Sequence, residues 1–264
     1  MTPTPLLLAF LAHFSADFLL QSDRMVQART AGRVWPYLAH AGTVAAVLFV
    51  LLHFYGVGAA AFFAILVAGL HLILDWLKDL LGRKGSPRVQ VALFVGDQVL
   101  HGLVLFFSWQ WLAPRPDPRV LYYYGLLVPP RAAAVFGTAQ GTPAIELNLV
   151  LAVVLVYVAV MFAGAVLLRK ILDALGVSPR REPGDDAGAG RIGKYIGILE
   201  RGLILTLVLA DVVSAVGFVV AAKSVARFKE LDEKGFAEYY LVGTLASTLL
   251  AVGAGLLLKA ALRG

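Results

Sequence analysis

The chain has 264 residues, of which 59% are hydrophobic and only 15% charged, and its mean hydropathy is +0.80. A soluble domain is nearer half apolar and a quarter charged, so the composition excludes an ordinary soluble protein, and no polar stretch is long enough to build a separate soluble domain. The absence of cysteine excludes disulfides, thiolate ligands and thiol catalysis, while the formal charge of +6 is scattered over short loops and lacks the contiguous basic surface that nucleic-acid binding requires.

Several stretches approach or exceed the roughly 18–20 apolar residues that cross a bilayer. They predict helices at about 4–21, 36–56, 58–81, 90–113, 145–171, 194–222 and 238–262. The fold class is therefore all-α, a polytopic transmembrane helix bundle of about 7 membrane helices. The first stretch, LLLAFLAHFSADFLLQ from Leu6 to Gln21, has no basic leader and is interrupted by His13 and Asp17, so it reads as a retained helix and not a cleaved signal.

Loop charge sets the orientation. Arg24, Arg29 and Arg33 outweigh Asp23 after the first helix, and Lys78, Arg83, Lys84 and Arg88 outweigh Asp79 after the third, whereas the connection from Tyr55 to Gly58 is uncharged. The positive-inside rule then makes the first two regions cytoplasmic and the N-terminus extracytoplasmic.

Residues 1–113 form a four-helix membrane unit. Residues 114–144, rich in Pro, Gly and Tyr, read as an ordered extracytoplasmic loop. Residues 145–264 form a C-terminal membrane unit with a flexible cytoplasmic linker at 172–193, by its Gly, Pro and mixed charge. Within that unit, 194–222 is either one tilted helix or a re-entrant hairpin turning near Asp211. Its 29 residues reach roughly 43 Å, too short for two full spans of about 30 Å, which favours a single helix. The alternating apolar and charged residues of 223–238 read as an interfacial helix.

Three polar pairs recur at i, i+4 spacing: His13 and Asp17, His71 and Asp75, Asp97 and His101. That spacing puts both members on one helix face. His40 adds a lone imidazole in the second helix, Gln21 extends the first face, Lys78 stands close to Asp75, and Gln98 follows Asp97. Because successive helices alternate in direction, His13, Asp17, His40, His71, Asp75, Asp97 and His101 all fall at one depth, in the cytoplasmic half of the membrane. Ionisable residues inside membrane helices face the bundle interior and pair or coordinate something.

Imidazoles and carboxylates without thiols suit a divalent ion such as zinc, manganese or iron. Three carboxylates and four imidazoles suffice for one metal with supporting partners, or for two on facing helices. A lone His–Asp pair is ordinarily a structural hydrogen bond; three at one depth favour a metal or catalytic site over a proton or ion pathway or polar packing between helices. Haem would need only two facing imidazoles and leaves the carboxylates unexplained.

Other polar residues carry less. The basic residues around the layer can hold a phosphate head group, although loop charge alone also accounts for them. His53 lies outside the layer and reads as interfacial. Trp76, Trp109 and Trp111 fit aromatic belts. Glu200 and Arg201, being adjacent, point to separate partners. Asp211 reads equally as a functional group or as one end of an interhelical bond.

The stretches AHFSADFLLQ at 12–21, HLILDWLK at 71–78 and VGDQVLH at 95–101 resemble the bacterial domain-of-unknown-function family 3307, over about the first 110 residues. GKYIGILERGLILTLVLA, AKSVARF and EYYLVGTLAS further on are similar to the longer form of that family. The resemblance implies an integral protein of the bacterial inner membrane and brings no activity with it. A looser likeness is to the predicted membrane-bound metal-dependent hydrolases, which also place His and Asp on membrane helices.

The leading expectation is a metal-dependent membrane enzyme hydrolysing a phospho-lipid or other amphipathic ester, with membrane lipids as its partners. His13, Asp17, His40, His71, Asp75, Asp97 and His101 are the candidate ligands, Asp97 doubling as a catalytic base, and Lys78 would offset developing negative charge. The alternatives are a metal-ion or proton transporter or channel using the same layer, and a structural or regulatory subunit braced by a metal. Metal identity, substrate and oligomeric state are not written in the sequence.

Overall fold

The computed structural model describes residues 4–30, 33–112, 115–127, 147–177 and 187–263, and among them the secondary structure is helical, with no strand. Helix α1 (Thr4–Ser15) continues through a π-helical turn, Ala16–Leu20. There follow α2 (Asp23–Thr30), α3 (Trp35–Leu52) with a 3-10 turn at His53–Tyr55, α4 (Val57–Gly82), α5 (Pro87–Ser108) with a 3-10 turn at Trp109–Trp111, and α6 (Pro118–Leu127). Then come α7 (Leu147–Val158), a second π turn (Ala159–Ala163), α8 (Gly164–Leu175), α9 (Ala187–Leu209), α10 (Ala215–Ala226) and α11 (Lys234–Arg263).

Five of these stretches are long and apolar enough to cross a membrane: Trp35–Tyr55, Val57–Gly82, Pro87–Trp111, Leu147–Leu175 and Lys234–Arg263. Thr4–Leu20 and Ala215–Ala226 are apolar but shorter. The chain forms two compact units, one within residues 1–84 and 93–155 and the other within 85–92 and 156–264.

Local chemistry sets the helix ends. The Ser22 hydroxyl accepts from the Met25 amide (3.3 Å) at the start of α2, and the Ser86 hydroxyl from the Val89 amide (3.4 Å) at the start of α5, where Pro87 takes the first helical position. Asp117 caps α6 in the same way, its Oδ1 2.8 Å from the Arg119 amide. The reversal between α3 and α4 is made by Gly56 at φ 106°, a conformation that a side chain would strain.

The apolar core of the first unit lies to one side of the polar residues. On α3, Val44, Leu48 and Leu52 follow His40 along one face, and on α4, Ala60, Phe63, Ala64, Val67 and Ala68 precede His71. Ala9 and Ala12 of α1 let that helix approach closely, and Leu105 of α5 completes the packing. His53 stands apart at the far end of α3, its Nδ1 donating to the Val50 carbonyl at 2.7 Å.

In the second unit, Ile204, Leu205 and Val208 of α9 pack with Ala251 of α11, Val160 of the second π turn and Val216 of α10. Arg201 explains that π turn. Its Nε donates to the Val160 carbonyl (2.9 Å) and its second terminal nitrogen to the Met161 carbonyl (2.7 Å), both inside the widened turn, while the other reaches the Ser247 hydroxyl (3.4 Å). Neighbouring Glu200 instead pairs with Lys223 at 2.5 Å.

Three expectations about organisation change. Residues 194–222 are not one helix: α9 ends at Leu209, Asp211 adopts φ 63°, and α10 turns back for 12 residues. The length argument excludes two full spans but permits a return of about 18 Å. Aspartate tolerates the left-handed conformation, and here its carboxylate is bound by Lys259 and, at 3.5 Å, by Arg263. Secondly, 223–238 is not one interfacial segment. Lys223 and Ser224 belong to α10, Phe228–Asp232 forms a 3-10 turn, and α11 begins at Lys234. Thirdly, the linker at 172–193 is shorter than expected. Helix α8 runs to Leu175 and closes with Gly176 at φ 72° and a Val177 amide to Leu172 carbonyl bond of 3.2 Å, and α9 starts at Ala187. Residues 178–186 of that linker, and 128–146 of the 114–144 segment, lie outside the described residues; 118–127 of the latter is helical.

Candidate metal centre

The structure brings His13, Asp17, His40, His71, Asp75, Asp97 and His101 into a single cluster inside the first unit. Six of the seven are buried, and the Asp17 side chain is 9% exposed. His71 and Asp75 share one face of α4, and Asp97 and His101 one face of α5, as their spacing requires. Asp17 stands on the π turn that widens the end of α1.

At the centre, Nε2 of His40 and Nε2 of His71 face each other at 3.0 Å. Oδ1 of Asp17 is 3.2 Å from the first nitrogen and 3.4 Å from the second. Oδ2 of Asp75 is 3.7 Å and 3.6 Å from the same two atoms. Asp17 Oδ1 is buried without a hydrogen bond, as are Nδ1 of His40 and of His71, Oδ1 of Asp97 and Nε2 of His101.

Two protein cations occupy the flanks. Lys78 Nζ lies between Asp75 Oδ1 (2.6 Å) and Asp97 Oδ2 (3.0 Å). Arg29 comes from α2, where it is the buried one among the described side chains, and pairs with Asp75 Oδ2. Its Nε is 3.6 Å from Asp79 Oδ2, which also accepts a 2.8 Å bond from the Tyr37 hydroxyl. The Tyr37 ring lies under the guanidinium at 5.4 Å. Burial opposes the charge on Arg29, but Asp75 and Asp79 outweigh it and raise its pKa.

The outer imidazoles are oriented by hydrogen bonds. Gln98 Nε2 donates to Asp97 Oδ2 at 3.1 Å, which turns the amide oxygen toward His13 Nε2 at 3.3 Å. His101 Nδ1 is 2.9 Å from the Asp97 carbonyl. The His101 ring stacks on His13 at 5.0 Å and lies 4.1 Å from the His71 ring.

Three overlapping groups place their donor atoms within 4.8 Å of one another and can hold a metal ion: His13, Asp17 and His71; His40, His71 and Asp75; Asp75, Asp97 and His101. The last already contains the Lys78 ammonium. Sequence reasoning missed Arg29, Tyr37 and Asp79 as members of the cluster. Asp79, four residues past Asp75 on the same face, carried a signal; Arg29 was indistinguishable from loop charge.

Residues 6–119 match the family described as Protein of unknown function (DUF3307), which supports assigning this part of the chain to that family. The match spans every residue of the cluster. No curated protein and no solved structure matches the chain.

Proposed function

We propose that the chain is a metal-dependent membrane enzyme, a hydrolase of a phospho-lipid or other amphipathic ester, with a divalent ion held by His40, His71, Asp17 and Asp75. One observation carries the reading: Nε2 of His40 and Nε2 of His71, 3.0 Å apart, are each approached by Asp17 Oδ1 at 3.2 and 3.4 Å and by Asp75 Oδ2 at 3.7 and 3.6 Å. Ligands about 2.0–2.2 Å from a tetrahedral ion stand about 3.3–3.6 Å apart. Charge supports it as well. With neutral imidazoles, the carboxylates of Asp17, Asp75, Asp79 and Asp97 exceed the cations Arg29 and Lys78 by two, which one divalent ion cancels. Zinc, manganese and iron suit this donor set.

A divalent ion bound there supplies a Lewis acid and an acidified water. The chain's own groups do the rest. Asp75 shares its oxygens with Arg29 and Lys78, so it would be the weakest of the four donors and the one that a water or an ester oxygen would displace. Asp97 accepts the proton at Oδ1, which no hydrogen bond occupies. Lys78, whose side chain is 23% exposed, stands where the cluster meets the outside and offsets charge on the leaving oxygen. The basic residues Arg24, Arg33, Arg83 and Lys84 in the connections beside the cluster support a cytoplasmic opening within reach of anionic lipid.

A transporter needs a polar route past the cluster. Instead, Val44, Leu48, Phe63, Val67 and Leu105 pack beyond it, which favours a site open on one side.

Metal content tests the reading. Tag-free protein purified in detergent, reconstituted with zinc, manganese or iron and measured by inductively coupled plasma mass spectrometry, should hold about one or two equivalents, and Asp17→Asn and His71→Ala should lose them. Loaded protein should release phosphate or fatty acid from lipid vesicles. Metal-free wild-type protein after reconstitution sinks the proposal.

A further inference from the structure

We infer that the cluster contains a second cation position, between His13 Nδ1 and Asp17 Oδ2, with the Asp17 carboxylate bridging the two ions, and that the substrate it serves carries a dianionic phosphate. The inference rests on the metal reading above and extends it.

The argument is one of hydrogen-bond accounting. Asp97 Oδ2 is an acceptor, so the Gln98 group 3.1 Å away is its amide nitrogen. The Gln98 oxygen therefore faces His13 Nε2 at 3.3 Å, and as it too can only accept, that nitrogen carries the proton. In the neutral imidazole His13 Nδ1 is then a bare lone pair. It faces Asp17 Oδ2, another acceptor, at 3.8 Å inside the protein. Two acceptors in opposition repel unless a cation stands between them.

The alternative is a protonated His13 donating to Asp17. A charge-assisted bond of that kind closes to about 2.7–2.9 Å, well short of the 3.8 Å observed. Two ligands about 2.0–2.2 Å from one ion stand that far apart at an angle of about 120–145°.

The neighbourhood supplies a further donor. His101 donates from Nδ1 to a backbone carbonyl and keeps Nε2 buried without a hydrogen bond, the tautomer that metal-binding histidines adopt. Asp17 Oδ1 already faces His40 and His71, so its two oxygens point to two positions. In such pairs the ions stand about 3.5–4 Å apart and clamp the attacking and leaving oxygens of a phosphoryl group. One divalent ion cancels the cluster's charge; a second leaves it two units positive, which a phosphate dianion offsets and a carboxylic ester does not.

Manganese-loaded protein decides the matter by electron paramagnetic resonance, alongside metal counts and titrations. Wild type should bind two equivalents and give an exchange-coupled spectrum, and inorganic phosphate should tighten the second equivalent about tenfold or more. His13→Gln should keep the first equivalent and weaken the second about 10- to 100-fold. One equivalent with an isolated-ion spectrum overturns the second position while leaving the single-metal proposal standing; no binding overturns both. Two coupled ions indifferent to phosphate overturn the substrate class. Should His13→Gln fail to fold, the wild-type spectrum and count decide alone.

Discussion

Arg29 and Asp75 form a buried ion pair that ties a surface helix to the polar centre of a membrane-type helix. The other described side chains of α2 are half-buried or exposed, and this pair, with the weaker contact to Asp79 at 3.6 Å, anchors the helix. The same Asp75 oxygen belongs to the proposed ligand set. The position of α2 and the state of the cluster are thus joined through one carboxylate.

Arg29→Met should therefore destabilise the first unit by about 3 kcal/mol, near the low end for breaking a buried pair, because Lys78 still neutralises Asp75. Unfolding in mixed detergent measures this. Trypsin should also cut at Arg24 faster in the variant. Arg29→Lys should recover only part of the loss, since an ammonium cannot reach Asp75 and Asp79 together as a guanidinium does. Unchanged proteolysis in Arg29→Met removes α2's anchor from consideration.

Lys78 and Asp97 form a second, partly buried link, at 3.0 Å between α4 and α5. Lys78→Met strands the Asp97 carboxylate, Asp97→Asn leaves Lys78 with Asp75 alone, and the double change strands no charge at Asp97. The coupling between them should be about 1–3 kcal/mol. A double-mutant cycle on unfolding free energies reads it directly, and additivity would show that Lys78 serves Asp75 alone.

The seven His and Asp residues were legible because i, i+4 spacing selects a helix face and alternating helix direction selects a depth. Asp79 carried the same i, i+4 signal from Asp75, but Arg29 was not legible, because a cation in a connection between helices looks the same whether it meets water or a buried carboxylate. The turn at Asp211 was half legible. One aspartate interrupts an apolar run, but its partners Lys259 and Arg263 lie 48 and more residues away. The two π turns were invisible. At 159–163 the widened turn depends on the Arg201 guanidinium of another helix, and no local pattern announces it.

That dependence makes Arg201 testable. Arg201→Met should leave the Val160 and Met161 carbonyls without their donors in an apolar setting, at a cost of about 2–4 kcal/mol to the second unit. Arg201→Lys should rescue little, because one ammonium cannot replace a fork that spans both carbonyls. Metal binding in the first unit should stay unchanged, so metal content is the control that separates this loss from damage to the cluster.

Two glycines on α11, two residues apart, make opposite predictions. A Cβ at Gly255 would stand 2.7 Å from Val208 Cγ1 and 2.9 Å from its Cβ, with Leu205 Cδ1 at 3.2 Å, whereas one at Gly253 meets nothing within 4 Å. Both positions are helical, so alanine gains about 0.5–1 kcal/mol of intrinsic preference at each. At Gly253 that gain is unopposed, and Gly253→Ala should stabilise. At Gly255 the branched Val208 is itself fully buried and cannot turn aside, so overpacking of about 1–3 kcal/mol outweighs the gain. The second unit then unfolds earlier in Gly255→Ala. Because the clash lies mostly with one side chain, Val208→Ala in the same chain should recover part of the loss, although Val208→Ala alone destabilises. If the two changes instead add, α9 and α11 do not pack through Val208 and Gly255.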